Sequence, residues 1–193
     1  MTRIIAGVAG SLRLEVPKSG TRPTSDRVRE AIFSTLTSWG LVRGVQVLDL
    51  YAGSGALGLE AASRGAREVT LVERHAASAA VTSRNAALVT RAFRDADAPR
   101  IAVVRQAVQT FLGSATADAE WDVVLLDPPY DLPESDLAGN LNDVVAHVSP
   151  DGVVMVERSA RSPEPTWPAG LGRFDHRRYG ETTLWWAERR DEE

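Results

Sequence analysis

The stretch VQVLDLYAGSGALG, residues 45–58, decides the fold. A run of apolar residues interrupted only by Gln46 and Asp49 enters a turn containing Gly53 and Gly55. Residues 56–64 then have the Ala and Leu content of a helix, closed by Gly65. Strand, Gly-rich turn and helix in this order, with GxGxxG spelled by Gly53, Gly55 and Gly58, form the opening unit of a doubly wound α/β sheet. Glycine at the first two positions lets the backbone approach a nucleotide-like ligand. Gly58 permits the helix to pack closely on its strand.

Outward from this unit, the pattern repeats. Apolar runs VTLVE (69–73), IAVV (101–104), DVVLLD (122–127) and VVMVE (153–157) alternate with helix-like stretches at 76–93, near Val108, and at 134–148 with Leu137, Leu141, Val144 and Val148 in register. The runs are continuous rather than alternating, as strands covered on both faces require, so the sheet is expected to be mainly parallel. Before the first strand, RIIAGVAGSLRLEV (3–16) reads as a hairpin and Pro17, Gly20 and Pro23 as loop. Thr24, Ser25 and Asp26 offer helix capping ahead of Val28, Ile32, Leu36 and Trp39, with Gly40 closing that helix. At the far end, 159–172 is a Pro/Gly loop and 173–190 a hairpin turning near Gly180. Its adjacent Trp185 and Trp186 should face opposite sides of a strand.

Composition bounds the function. The chain has 193 residues, 44% of them hydrophobic, with 22 basic against 26 acidic side chains and a net charge of −4, which describes one ordinary domain. It contains no cysteine, so disulfides, thiolate metal sites and Cys nucleophiles are excluded. No apolar run reaches the roughly 18 to 20 residues of a membrane span. Residues 4–12 are too short and Gly-containing for a signal peptide, so a cytoplasmic location is expected. His75, His147 and His176 lack metal-ligand spacing, and no metal is expected. Residues 1–30 carry Arg3, Arg13, Lys18, Arg22, Arg27 and Arg29 against Glu15, Asp26 and Glu30, six minus three, so this end is basic in an acidic protein.

Charge narrows the ligand of the Gly turn. Asp49, four residues before Gly53, would repel a pyrophosphate but attract the ammonium and sulfonium of S-adenosylmethionine. Glu73, 20 residues after Gly53, is placed to accept both hydroxyls of a ribose. Asp127-Pro128-Pro129-Tyr130 follows the strand DVVLLD and so lies at the carboxyl edge of the sheet, where ligands bind. An amino group on an aromatic ring is a poor nucleophile because its lone pair is delocalised. The Asp127 carboxylate and the Pro128 carbonyl, both acceptors, can hold its two N–H bonds and direct the lone pair at an incoming methyl group. Pro128 and Pro129 stiffen the turn, and Tyr130 offers a flat face for a base extruded from its stack.

With DLYAGSGALGLEA, LVE and DPPY in this order and spacing, the sequence resembles a class I S-adenosylmethionine-dependent methyltransferase. More narrowly, RIIAG (3–7), RPTSDRVREAIFS (22–34) and YGETTLWW (179–186) resemble the bacterial 16S ribosomal RNA guanine-N2 methyltransferase family, so the likeness spans nearly the whole chain. The resemblance implies a Rossmann-like α/β fold, with a mostly parallel seven-stranded sheet and helices on both faces. A β-hairpin extension with a basic arm would occupy 1–22, ahead of the methyltransferase domain at 23–193. It implies S-adenosylmethionine as cofactor, bound by Asp49, Ala52, Gly53, Ser54, Gly55, Leu57, Gly58 and Arg74, with Glu73 at its ribose. The adenine contact falls to Gln106 or to the backbone amide of Ala107. Residues 22–24, Thr24 included, either reach the cofactor carboxylate or cap the helix. Asp127, Pro128, Pro129 and Tyr130 would hold the guanine.

The substrate so implied is a guanine of 16S rRNA within the small subunit or a late assembly intermediate, methylated by direct in-line transfer, with a monomer as the expected form of the enzyme. The basic N-terminal arm and Arg177-Arg178 are the candidates for phosphate contact. Two other readings compete. A DNA methyltransferase acting on adenine N6 or cytosine N4 uses the same acceptor geometry, although 193 residues leave no room for a target-recognition domain. A nucleotide-binding oxidoreductase leaves DPPY unexplained and sets Asp49 against phosphate.

Overall fold

The computed structural model describes residues 2–17 and 24–190. Its elements, in order, are β1 (Thr2–Arg3), β2 (Arg13–Leu14), α1 (Asp26–Ser38), β3 (Gln46–Leu50), α2 (Ala56–Arg64), β4 (Glu68–Val72), α3 (Ala76–Thr90), β5 (Arg100–Val104), α4 (Val108–Ser114), β6 (Trp121–Leu126), α5 (Glu134–Val145), β7 (Val148–Ser159), β8 (Leu171–Tyr179) and β9 (Thr182–Arg189). The main sheet has seven strands in the order β5-β4-β3-β6-β7-β9-β8. The first five are parallel, and β9 runs antiparallel between β7 and β8.

Because strand side chains alternate, each strand feeds two cores. Val47, Val69, Leu71, Val123, Leu125 and Met155 pack with α1, α2 and α3 on one face. Leu48, Leu50, Val124, Leu126, Val154 and Val156 pack with α4 and α5 on the other. Trp186 is fully buried in the first core, edge-on to Trp39 at 4.9 Å, while Trp185 points to the second and stacks on His176. The N-terminal hairpin is real but minimal, with two residues per strand, and it buries Ile4, Ala9 and Leu14 in the first core.

The expected elements are present with several boundaries displaced: α3 ends at Thr90 rather than 93, and β8 begins at Leu171, inside the expected loop. Helix α5 stops at Val145, not 148, because β7 begins at Val148, which pairs with Trp121. Sheet pairing captures a residue whose periodicity suited either element. The chain order reverses between β3 and β6, so the loops leaving their carboxyl ends flank the topological switch point. Those loops are residues 51–55 and 127–133.

Candidate active site

The loop after β3 is shaped by backbone that glycine tolerates and tyrosine resists. Gly53 and Gly55 have φ of 57° and 80°, and Tyr51 adopts φ 67°, a strained conformation for a residue with a large side chain. The Tyr51 hydroxyl accepts a hydrogen bond from Asn140 Nδ2 on α5, which holds the strained residue in place. Thr82 Oγ1 donates to Gly53 O at 2.8 Å, and Asn85 Nδ2 donates to Ser54 O at 2.8 Å, so α3 fixes the loop from outside. Asn85 also pairs with the backbone of Glu15, tying the N-terminal segment to the same loop.

Above this loop lies a cavity of about 540 Å³, within the usual size of a small-molecule site. Of the residues expected at a cofactor, Asp49, Ala52, Gly53, Ser54, Leu57, Glu73, Arg74, Gln106 and Thr24 line it, as do Asp127 and Pro129. Gly55 and Gly58 do not. A Cβ on Gly55 would meet Thr82 and Leu59, and one on Gly58 would lie 2.4 Å from Leu71, so both serve helix packing beneath the cavity. Ala107 stands just outside, as the residue preceding α4. Pro128 is buried, and Tyr130 is 58% exposed beside the cavity rather than in its wall. Val16, Pro17, Tyr51, His75 and Asp131 line the cavity without having been anticipated. Val16, Pro17 and Asp131 are brought there by the convergence of separate loops, which no local pattern encodes, whereas Tyr51 and His75 sit beside residues already read as cofactor contacts.

Carboxylates dominate the chemistry. Glu73 is buried and accepts from Gly53 N at 3.0 Å and His75 N at 2.7 Å, one backbone amide per oxygen. Asp49 is 1% exposed and accepts from Gly58 N at 2.8 Å. Burial pushes its carboxyl up to about 7, against the pull of the Gly58 amide and with help from the charges of Asp127 and Glu73. A buried acid among other acids favours a positively charged ligand, because a cation offsets both the desolvation and the mutual repulsion.

Asp127 Oδ2 accepts from Thr24 Oγ1 at 2.8 Å. Neither Asp127 Oδ1 nor the Pro128 carbonyl has a hydrogen-bond partner among the described residues. Arg158, 4% exposed, clamps the rest of the loop: its guanidinium donates to Pro129 O at 3.5 Å and Leu132 O at 3.4 Å and pairs with Glu134. Arg158 and its neighbour Glu157 went unread in the sequence. The acid ending an apolar run, as Asp49 and Glu73 nearly do, was the available signal for Glu157.

The basic N-terminal end is less available than its sequence suggests. Arg29 is fully buried, bonded to Asp26 and Arg3 O and facing Glu60, and Arg3 pairs with Asp26. Lys18 and Arg22 lie outside the described residues. Arg13 and Arg27 are exposed, whereas Arg177 bonds Asp175 and Arg178 bonds Gly180 O. Among the described residues no cluster of acidic or His side chains is placed to hold a metal ion, and no helix is long and apolar enough to cross a membrane.

Solved structures share this architecture. An Escherichia coli structure assigned as a methyltransferase superposes with a TM-score of 0.82 over 97% of both chains at 30% identity. A hypothetical protein from Thermus thermophilus does so with 0.81 over 97% of this chain and 99% of its own, at 32% identity. Fold and site together define a class I methyltransferase. The family model described as Conserved hypothetical protein 95 matches residues 2–188. Ribosomal RNA small subunit methyltransferase D of Escherichia coli K12 is 35% identical over 168 residues, 86% of this chain and 79% of the relative. The protein of that name from Haemophilus influenzae is 33% identical over 162 residues, 83% and 80% of the two chains. The chain belongs to this ribosomal RNA small subunit methyltransferase D family.

Proposed function

We propose that the protein transfers a methyl group from S-adenosylmethionine to the exocyclic N2 of a guanine in 16S rRNA, acting as a cytoplasmic monomer on the small subunit or a late assembly intermediate. The observation that carries this reading is a pair of acceptors on one Pro-stiffened loop, the carboxylate of Asp127, which lines the cavity, and the carbonyl of the adjacent Pro128. Two acceptors match the two N–H bonds of an amino group. The relatives named for the ribosomal small subunit support the choice of RNA over DNA.

The residues present fit the cofactor. Asp49 meets its cationic end, Glu73 retains lone pairs for ribose hydroxyls, and Gln106 lines the wall at the end of β5, where the adenine is assigned. When bound, S-adenosylmethionine supplies an electrophilic methyl carbon on a sulfonium. Asp127 and Pro128 orient the amine, localise its lone pair and stabilise the positive charge that develops on N2, while Tyr130 stacks on the base. The amine proton leaves to Asp127 or to water.

The test is transfer of labelled methyl to small subunits lacking the modification, to naked 16S rRNA and to duplex DNA, with the product nucleoside identified by mass spectrometry. N2-methylguanosine from the subunit is expected, and Asp127→Ala should lower transfer by about 10²-fold or more while cofactor binding persists, the scale of losing a preorganised acceptor. Label found only in DNA would overturn the substrate, and normal turnover by the variant would overturn the role of Asp127.

A further inference from the structure

The Thr24 hydroxyl stands between two carboxyl groups, 2.8 Å from Asp127 Oδ2 and 3.1 Å from Glu157 Oε2. Strand register sets the two acids side by side. Leu126 pairs with Val156, so Asp127 and Glu157 follow side by side on the same face of the sheet, and Thr24 arrives there from the segment before α1. A hydroxyl carries one proton, so it can donate to only one of the two oxygens. The other contact is a hydrogen bond only if that carboxyl is itself the donor.

The surroundings decide which carboxyl keeps the proton. Glu157 is 6% exposed, whereas Asp127 opens onto the cavity. Thr182 Oγ1 on β9 donates to Glu157 Oε1 at 3.4 Å, which suits the carbonyl oxygen of an acid. Arg158, next along β7, is turned away to Glu134 and the loop carbonyls. Asp49 is the further acid facing Asp127. Among the described residues neither Asp127 nor Glu157 has an ion-pair partner, so no cation holds both ionised. Burial, then the charge of Asp127, push Glu157 up to about 8.

We propose that Glu157 is a positioning residue for methyl transfer: as a neutral acid it donates to Thr24 Oγ1, which commits the Thr24 proton to Asp127 Oδ2 and leaves Oδ1 as the ionised acceptor presented to the amine. The inference rests on the reading of Asp127 given above. Loss of the Glu157 proton at alkaline pH leaves two carboxylates competing for one hydroxyl proton, and Asp127 loses its anchor.

The pH dependence of kcat, at saturating S-adenosylmethionine and small subunits, tests this in the wild type, Glu157→Ala and Glu157→Gln. The alanine variant is expected to lose about tenfold in kcat, the order of one positioning hydrogen bond, with cofactor affinity unchanged within about twofold. Glutamine, whose amide N–H donates to Thr24 at every pH, should recover most of that loss and abolish the alkaline decline. A glutamine variant as slow as alanine, or one that keeps the alkaline decline, overturns the proposal. Carboxyl-carbon NMR titration gives a readout without substrate. The highest-titrating side-chain acid should vanish in Glu157→Gln, and its survival there overturns the hydrogen-bond chain. A wild type inactive on ribosomal RNA would instead sink the substrate assignment and leave this titration to decide the chain.

Discussion

Asp49 shows how much one buried side chain can ask of a ligand. Its carboxyl is pushed up to about 7 by burial first and by neighbouring acids second. A cationic ligand prefers the ionised form, so binding below that pH must expel a proton. The affinity for S-adenosylmethionine should therefore rise by up to about tenfold per pH unit from about pH 5 to 7 and level off above, since one pKa unit corresponds to about 1.4 kcal/mol. Calorimetry in buffers of different ionisation heat would register the proton release, and Asp49→Asn should flatten the profile. Affinity independent of pH in the wild type would remove Asp49 from cation recognition.

At the scale of elements, α2 joins the two ends of the site. Its first turn faces the cavity through Ala56 and Leu57, and Gly58 lets it settle on Leu71. Further along, Glu60 is fully buried and accepts from Ile5 N at 2.7 Å, Ala6 N at 3.0 Å and Arg64 Nε at 2.6 Å, with Arg29 Nη1 at 4.0 Å. One carboxylate thus anchors the N-terminal hairpin to α1 and α2. Removing it strands the buried Arg29, which keeps only Asp26 and a carbonyl. Glu60→Ala should destabilise by about 3 kcal/mol or more, the scale of a broken buried pair, read as a lower urea midpoint. Because Glu15 and Asn85 connect the same segment to the Gly loop, cofactor affinity should fall as well. A midpoint within error of the wild type would refute the anchoring role.

For the whole molecule, three acids on one face of the sheet, Asp49, Asp127 and Glu157, are all pushed upward by burial. A carboxyl raised in the folded state holds a proton that the unfolded chain has already released, so stability is full below the unfolded value and falls as pH rises through the folded one. For Asp49 that window runs from 3.8 to about 7. The ligand-free protein should be less stable at about pH 8 than at about pH 5, by a few kcal/mol at most. Asp26, held low by Arg29, works in the opposite sense only below the ordinary carboxylate range. Urea unfolding across pH checks this, and a stability that rises between those two values would contradict it. S-adenosylmethionine, by neutralising the acidic wall, should restore stability at the alkaline end.

The succession of strands and helices, the Gly turn and the acidic loop were legible in the sequence because each is written in consecutive residues: apolar runs where a strand is covered on both faces, glycine where φ must be positive, and proline where a turn must stiffen. Much of the acidic cavity wall followed from them, including Asp49, Glu73 and Asp127. What the tertiary structure alone decided is which distant groups share a proton or a charge. Arg29 reads as one charge of a basic N-terminal end and is an internal ion-pair partner. Val148 fits a helix by period and belongs to a strand by pairing. Gly55 fits a ligand motif and serves packing. Thr24, Asp127 and Glu157 are separated by 103 and 30 residues along the chain, yet one hydroxyl bridges the two acids. Sequence pattern records how a segment is covered, whereas burial, desolvation and hydrogen-bond partnership depend on what the other segments bring to it.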